Sequence, residues 1–331
     1  MPYLIRNTRF AHPHWKLLCK FFCLPVCLHM SCVIFVMWII LGPDEKIEFL
    51  KNIKDKVKNE PDATILCMTS LGAILLQQNL LDEVKVLVEE TSQLLESLNG
   101  VSVVHAKFYE LSSSYNKATS NFEAYYRDAL RYLGCVEITS IAVAEQSERA
   151  FHLSLAALLA ESVYNFGEIL SHPVMDSLRG TERTWMAKLL KAFNAGDLCQ
   201  FEDLRPFWEQ QPDLFKNQTM LLRKIRLLSL MELIFRRHAH DRTISFSDIA
   251  KGASIDKIEV EQLVMKALSL GLIKGSIDQV LEEATLTWVQ PRVLSLDQAN
   301  LLQSRVAEWS KDVKGIVNLM QSEIPEVAIH L

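Results

Sequence analysis

The sequence predicts a mostly α-helical protein, in which a solenoid of helical repeats leads into a small helix-and-hairpin module and a C-terminal helix. From residue 43 to residue 240, apolar residues recur at helical spacing, and no run of alternating apolar and polar residues appears. Beyond residue 240, two short alternating stretches follow two helical segments, and the helical pattern returns near residue 295. With 331 residues and 49% hydrophobic composition, the chain can bury a substantial core.

The first 42 residues form an atypical apolar segment. Residues 21–41 carry no formal charge and approach the roughly 20 apolar residues that cross a bilayer. A signal anchor would place the rest of the chain outside the cytosol, where the isolated Cys67, Cys135 and Cys199 make no disulfide framework. Two interpretations stay open: a membrane anchor, or a segment joined to a cytosolic protein by exon choice or intron read-through. The cysteines favour the second.

Residues 43–219 are predicted to be the helical repeats. The predicted helices span residues 44–58, 62–78, 82–98, 101–117, 121–133, 144–170, 181–194 and 198–208. Their breaks carry helix-start and helix-stop residues, among them Pro61, Gly100, Gly134 and Pro173. Short turns between helices with apolar residues on more than one side indicate a stacked solenoid.

Residues 220–293 are predicted to be a winged helix, because an extended piece, two helices and a hairpin follow in that order. Asp256 and Glu259 have the spacing of a capping box that opens the second helix. In the hairpin, Ile273 and Ile277 are expected on one face, and Leu286 and Trp288 are expected to share another. The predicted segments are the extended piece 243–246, the helices 247–251 and 256–270, and the strands 272–279 and 284–289.

The charge pattern argues against nucleic acid as a partner. The second helix of a winged helix often enters the DNA major groove. Here that helix offers Lys257 and Lys266 against Asp256, Glu259 and Glu261. Four of the 35 basic residues precede Asp44, so the rest of the chain contains 31 basic residues and all 40 acidic residues. This balance disfavours contacts with phosphates.

Motifs that carry chemistry are not found. The sequence has no glycine-rich phosphate loop, no G-x-S-x-G elbow and no H-E-x-x-H. His238, His240 and Asp241 lack the spacing of a metal hydrolase and are interpreted as a loop, and Cys19, Cys23, Cys27 and His29 match no zinc-ligand pattern. The sequence therefore predicts no enzyme, no catalytic or metal site and no cofactor.

Several segments resemble a known family. Helical repeats followed by a winged helix are the layout of the PCI domain, which occurs in proteasome lid, signalosome and translation initiation factor subunits. The resemblance to the non-ATPase regulatory subunit 13 family of the 26S proteasome runs from about Pro43 to about Asn318, and residues 1–42 depart from it. It is carried by residues 103–115, 126–135, 165–174, 192–197 and 263–278.

The resemblance implies a non-catalytic structural subunit of the regulatory-particle lid, acting in assembly and ubiquitin-dependent degradation in the cytoplasm and nucleus. It also implies that winged helices pair edge to edge and that C-terminal helices gather in one bundle with other lid subunits. The alternatives are a membrane-anchored helical-repeat adaptor, or a subunit of another PCI complex, the signalosome or a translation initiation factor.

Two partner-binding surfaces are predicted. The first is the sheet edge, offered by the strand at Ile244 to Phe246 or by the wing strand that contains Leu286 and Trp288. The second is the C-terminal helix within residues 294–331, whose apolar residues follow each other at spacings of three and four. They are Leu302, Val306, Trp309, Val313, Ile316 and Met320. The alternative is that this helix folds back on its own winged helix.

Overall fold

The computed structural model describes residues 42–98, 100, 102–237, 242–293 and 296–323. These residues form two compact units, the first ending at Glu137 and the second beginning at Ile138. The elements are mostly helices, and the strands described belong to one small sheet. The predicted mostly α-helical class is confirmed.

The described part of the first unit, from residue 42 onward, contains five consecutive helices. Pro61 occupies the first turn of α2, where its missing N–H costs nothing, and the Asn121 side chain accepts a hydrogen bond from the Ala124 N–H at 3.3 Å to cap α5. The helices are α1 (Pro43–Lys56), α2 (Pro61–Gln77), α3 (Leu81–Glu96), α4 (Val103–Ala118) and α5 (Phe122–Cys135).

Helix α2 lies at the centre of this unit and packs against α1, α3 and α4. Two clusters of buried apolar side chains join it to its neighbours, one around Leu71 and Val84 and one around Ile65 and Phe108. Between α4 and α5, the buried Asp128 carboxylate accepts hydrogen bonds from Ser112 Oγ at 2.6 Å and Asn116 Nδ2 at 3.1 Å. The buried charge is therefore hydrogen-bonded, as burial requires.

The second unit opens with further helices. The αL conformation of Gly196 ends α8, and a Cβ there would lie 2.5 Å from the Ser229 Cα. Only glycine fits that approach. The helices are α6 (Val143–Leu159), α7 (Gly167–Ser171), α8 (Thr184–Ala195), α9 (Leu198–Asp203), α10 (Arg205–Trp208), α11 (Pro212–Lys216) and α12 (Gln218–Arg236), with 3₁₀ turns at Ile138–Ser140 and Pro173–Leu178.

The long helix predicted over residues 144–170 is wrong, because α6 ends at Leu159 and α7 begins at Gly167. The buried Lys224 side chain of α12 donates from its Nζ to the backbone carbonyls of Ala157 at 2.8 Å, Leu158 at 3.1 Å and Ala160 at 2.5 Å. Its positive charge at the C-terminal end of α6 replaces the donors that a continuing helix would supply. The predicted helix 198–208 is likewise divided, into α9 and α10.

The winged helix follows α12. Its elements are β1 (Thr243–Ser245), α13 (Phe246–Ala253), α14 (Lys257–Ser269), β2 (Ile273–Asp278) and β3 (Glu283–Val289). The sheet has the order β1-β3-β2 with antiparallel pairing on both sides of β3. Ser245 caps α13, two residues before the predicted start of that helix at residue 247, and Asp256 precedes α14 without a side-chain cap. The predicted capping box is therefore wrong.

A β-bulge divides the wing. Lys274 pairs with Trp288 but Gly275 pairs with Leu286, so Thr287 is the extra residue on β3. The extra residue reverses the alternation of side chains, which leaves Leu286 buried and Trp288 37% exposed with the Lys274 ammonium 5.0 Å from its ring centre. The prediction that Leu286 and Trp288 share one face is therefore wrong.

The last described element is α15 (Leu296–Glu323), a helix of 28 residues. At 1.5 Å per residue it is about 42 Å long. The predicted C-terminal helix is confirmed.

Candidate protein interaction surfaces

Helix α15 exposes an apolar seam in this chain. The six seam residues are between 39% and 69% exposed, and Trp309 is the most exposed of them. From residue 301 to residue 320, the half-buried residues are Arg305 and Ser310, and the others are exposed. The helix therefore does not bury this seam against its own winged helix. The seam residues are Leu302, Val306, Trp309, Val313, Ile316 and Met320.

Arg305 ties α15 to the end of α12. Its Nη1 donates to the Phe235 carbonyl at 3.3 Å, and its Nη2 donates to the Arg236 carbonyl at 2.7 Å. These carbonyls belong to the last turn of α12, and the last carbonyls of a helix have no N–H partner within that helix. A cation there also interacts favourably with the negative end of the helix dipole. Arg305 thus caps one helix while it positions another.

The described residues that follow β3 are also fixed. Arg292 Nη2 lies 2.9 Å from Glu232 Oε2 in a buried ion pair, and Arg292 Nη1 donates to the Asn194 carbonyl at 3.1 Å. Burial lowers the pKa of Arg292 from its ordinary value, while Glu232 opposes the shift. The next residue, Val293, donates its backbone N–H to Asn165 Oδ1 at 3.1 Å.

A glycine allows the residues after β3 to approach α7. A Cβ at Gly167 would lie 2.6 Å from the Val293 carbonyl oxygen, which is closer than real Cβ atoms come. The described residues between β3 and α15 are therefore held from two sides, by the Arg292 ion pair on α12 and by the contact with α7.

The edge strands of the sheet are β1 and β2, and β3 lies between them. Strand β3 is paired on both sides, so the prediction that Leu286 to Val289 offers an open edge is wrong. At the two residues that flank β1, the Leu286 N–H donates to the Arg242 carbonyl and the Phe246 N–H donates to the Glu282 carbonyl. Because antiparallel pairs alternate, this pattern directs the backbone groups of Thr243 and Ser245 away from β3.

Three of the side chains predicted for the sheet surface face the core. Ile244, Phe246 and Leu286 are buried, and Phe246 begins α13 and is not part of β1. A partner at this edge would contact β1 through its backbone, because apolar side chains that fill the core are unavailable to it. Trp288 is exposed but lies on the central strand.

Other sequence motifs are located as follows. His238, His240 and Asp241 lie outside the described residues, as do the apolar residues 21–41. Among the residues that are described, no group of three or more His, Cys, Asp or Glu side chains is arranged to hold a metal ion. Within the same residues, no helix is both long and apolar enough to cross a bilayer.

The three described cysteines are free thiols. Cys67 is buried, and burial raises the pKa of its thiol to about 11. Burial also raises the pKa of Cys135, which is partly exposed. Cys67 is therefore a core residue with little thiolate at neutral pH.

Sequence reasoning missed the residues that position α15, namely Arg292, Arg305 and Gly167. Their partners lie 60 to 128 residues away along the chain, so local patterns carry no signal for them. Arg305 is the first basic residue of the helix, but one basic residue on a helix does not indicate which carbonyls it will cap.

Comparison with known proteins gives two family matches. The model of PSD13 N-terminal repeats matches residues 29–190, and the PCI domain model matches residues 201–282. The first match identifies the helices of the first unit as repeats and begins before Pro43, so the family pattern extends further toward the N terminus than the residues that first suggested it. The predicted combination of helical repeats and winged helix is confirmed.

Individual relatives agree. The 26S proteasome non-ATPase regulatory subunit 13 of Dictyostelium discoideum is 37% identical over 288 residues, covering 85% of this chain and 75% of the relative. Homolog B of that subunit from Arabidopsis thaliana is 38% identical over 286 residues, covering 85% and 74%. A translation initiation factor 3 subunit M from Nematostella vectensis is 27% identical over 43% of this chain. The repeats, the PCI domain and these long alignments together place the chain in the family of the 26S proteasome non-ATPase regulatory subunit 13.

Proposed function

We propose that this chain is a non-catalytic structural subunit of the 26S proteasome regulatory-particle lid, acting in assembly and thereby in ubiquitin-dependent protein degradation. The observation that carries the proposal is the exposed seam of α15, which belongs to a helix held in place by Arg292 and Arg305. The family supplies the identity of the assembly.

The exposed seam supports a protein partner for a physical reason. A contiguous row of large apolar side chains in water is unfavourable by about 25 cal/mol for each Å² left exposed. Rows of this length on a protein surface usually mark interaction sites. A seam spaced at three and four residues is the pattern that packs in helical bundles. We therefore propose that α15 joins helices of other lid subunits, with Trp309 as the central anchor.

The edge of β1 is the second proposed contact. Thr243 and Ser245 direct backbone groups away from β3, so a strand or loop of a neighbouring subunit could extend the sheet there, in place of the 3.4 Å hydrogen bond that Arg237 Nη1 donates to the Thr243 carbonyl. Strand β1 has three residues, which limits this contact to a few hydrogen bonds. The β1 edge would accordingly set the orientation of the neighbouring subunit, whereas burial of the α15 seam would supply most of the binding free energy.

The proposal assigns the chain no reaction of its own and no nucleic-acid partner. The exposed side of α14 carries Glu259 beside Lys257, a mixed surface that does not attract phosphates. We also propose that the protein acts in the cytoplasm and nucleus, as a lid subunit would.

The test is affinity purification of the chain, tagged after Leu331, from cells in the presence of ATP, followed by native gel electrophoresis and mass spectrometry. We expect the tagged chain to migrate with the 26S particle and to recover the other lid subunits in amounts equal to its own. Recovery with translation-factor or signalosome subunits, or in the membrane fraction without proteasome, would contradict it. The pure chain should leave ubiquitin chains uncleaved in a gel assay.

A further inference from the structure

The tip of the wing presents apolar side chains to solvent. Val280 and Leu281, in the turn between β2 and β3, are 93% and 67% exposed. Ile258, in the first turn of α14, is 89% exposed, and Met265 lies seven residues later on the same stripe of that helix and is also exposed. We call Ile258, Met265, Val280 and Leu281 the wing-tip surface. Neither β1 nor α15 contributes to it.

The turn and the helix are joined, so these side chains belong to one surface. Lys257 forms an ion pair with Glu282, and Gln279 Nε2 donates to Glu261 Oε2 at 3.2 Å. The two contacts place the turn beside the first two turns of α14. Ile258 lies in the same first turn of α14 as Lys257, so this turn of the helix and the wing turn are neighbouring parts of the surface.

The turn holds its apolar residues in a defined conformation. Asp278 Oδ1 accepts hydrogen bonds from the N–H groups of Val280 and Leu281, both at 3.0 Å. Glu282 has a φ of 54°, a left-handed conformation that is costly for a residue with a Cβ. Turns are usually polar at exposed positions, so two large apolar residues exposed in an ordered turn depart from the usual pattern. Such departures are typical of binding sites.

The charge around the surface limits what can bind it. Residues 256–261 and 278–283 contain six carboxylates and one lysine, and Arg226 of α12 lies 4.0 Å from one of these carboxylates, that of Glu259, so the surface remains negative. Anionic lipid headgroups and nucleic acids would be repelled. A second copy would bring the same negative surface to a symmetric contact, which is also repulsive. A positively charged polypeptide with apolar side chains complements both the charge and the apolar centre.

We propose that the wing-tip surface binds a lysine- or arginine-rich segment of another protein that carries two or three apolar side chains. The apolar side chains contact Val280, Leu281 and Ile258, and the basic groups lie against the surrounding carboxylates. This site is separate from the β1 edge and the α15 seam, and it is available in the isolated chain.

The test uses the full chain and a fluorescein-labelled amphipathic peptide of leucine and lysine, with binding followed by fluorescence anisotropy. The double variant Val280→Ser and Leu281→Ser should raise Kd at least about tenfold, the effect of losing roughly 1.4 kcal/mol of contact. Val143→Ser is the matched control, because Val143 is a valine elsewhere on the second unit whose 74% exposure lies between those of Val280 and Leu281, and it should leave Kd unchanged. Added salt should weaken binding to the wild type.

Several results would overturn the proposal. They are wild-type affinity in the double variant, equal affinity for a peptide of leucine and glutamate, and loss of binding on Trp309→Ser with retention in the wing-tip variant. Sedimentation velocity provides a further check, since a wild-type dimer that dissociates in the double variant would make a second copy the occupant. The assay requires no assembly with lid subunits, so its failure is distinguishable from failure of the proposed function.

Discussion

Lys224 is a buried lysine whose ammonium takes the place of a helix cap. Its Nζ lies within 3.1 Å of three carbonyls at the end of α6 and 5.1 Å from the ring centre of Phe166. Burial lowers the pKa of Lys224 from its ordinary 10.5 to about 7, and Glu161 opposes the shift. The hydrogen bonds thus compensate part of a large desolvation cost.

Replacing Lys224 with methionine should destabilise the chain by about 1 to 3 kcal/mol, because buried carbonyls lose their donor. The difference in the free energy of unfolding between the wild type and the methionine variant should grow as pH rises from about 7 toward 10.5. In that range the unfolded chain holds a proton on Lys224 that the folded chain has released, so wild-type stability increases with pH and the methionine variant lacks this term. Urea unfolding of both proteins at several pH values measures this difference in stability. A constant or shrinking difference would contradict the lowered pKa.

Helix caps made by neighbouring residues can be predicted from the sequence, whereas the capping contacts of Lys224 cannot. Asp197 caps α9 by accepting from the Cys199 N–H at 3.0 Å, next to the αL glycine Gly196, and both residues are ordinary helix signals. The partners of Lys224 lie 64 to 67 residues away in the sequence. A helix end determined by such a contact leaves no local pattern, which is why residues 144–170 were predicted as one helix.

The orientation of α15 depends on the capping of α12 by Arg305. Substituting alanine for Arg305 should remove donors from the Phe235 and Arg236 carbonyls, so the last turn of α12 should fray. Hydrogen–deuterium exchange should then be faster there and little changed in the first unit. Lys311→Ala is the matched control, because it removes a cation from the exposed opposite side of α15. Equal exchange in both variants would contradict the capping role.

The β1 edge can be tested at a position that tolerates proline. Ser245 has a φ of −69°, which proline adopts, and its N–H is directed away from β3. Ser245→Pro and Ser245→Ala both lose the side-chain bond to the Asp248 N–H, at a cost of about 0.5 to 2 kcal/mol, but only proline removes the edge donor. We expect weaker recovery of lid subunits with proline than with alanine. Equal recovery would argue against sheet extension.

At the level of whole elements, the sequence supported the identity and order of the winged-helix segments but not their pairing. The central position of β3 depends on contacts with β1 between residues 38 to 42 apart, and the bulge at Thr287 depends on pairs that are 14 and 11 residues apart. Helix α12 was not among the predicted helices, although it carries Lys224 and Glu232 and packs against both α8 and the winged helix. Its apolar residues surround it on most sides, so it shows no clear amphipathic stripe.

Across the molecule, the proposed contacts of the lid lie in the second unit, on elements that follow α12. Long-range ion pairs and caps hold those elements, and the exposed apolar residues of α15 are left for a partner. The seam was predictable because helical spacing is a local property. Its exposure was not, since the alternative of folding back on the winged helix depends on the packing of the whole unit.

The most direct test of the account is the double variant Trp309→Ala and Val313→Asp, compared with Lys311→Ala and Asn318→Ala on the opposite side of α15. Each form is tagged, purified with its associated lid subunits, and melted as the isolated chain. If the seam is an interface, the first variant should lose lid subunits, since a buried anchor such as Trp309 is worth about 2 kcal/mol or more. Its melting temperature should match the wild type, because the seam is exposed in the isolated chain. Normal recovery of lid subunits, or a large drop in melting temperature, would contradict the account.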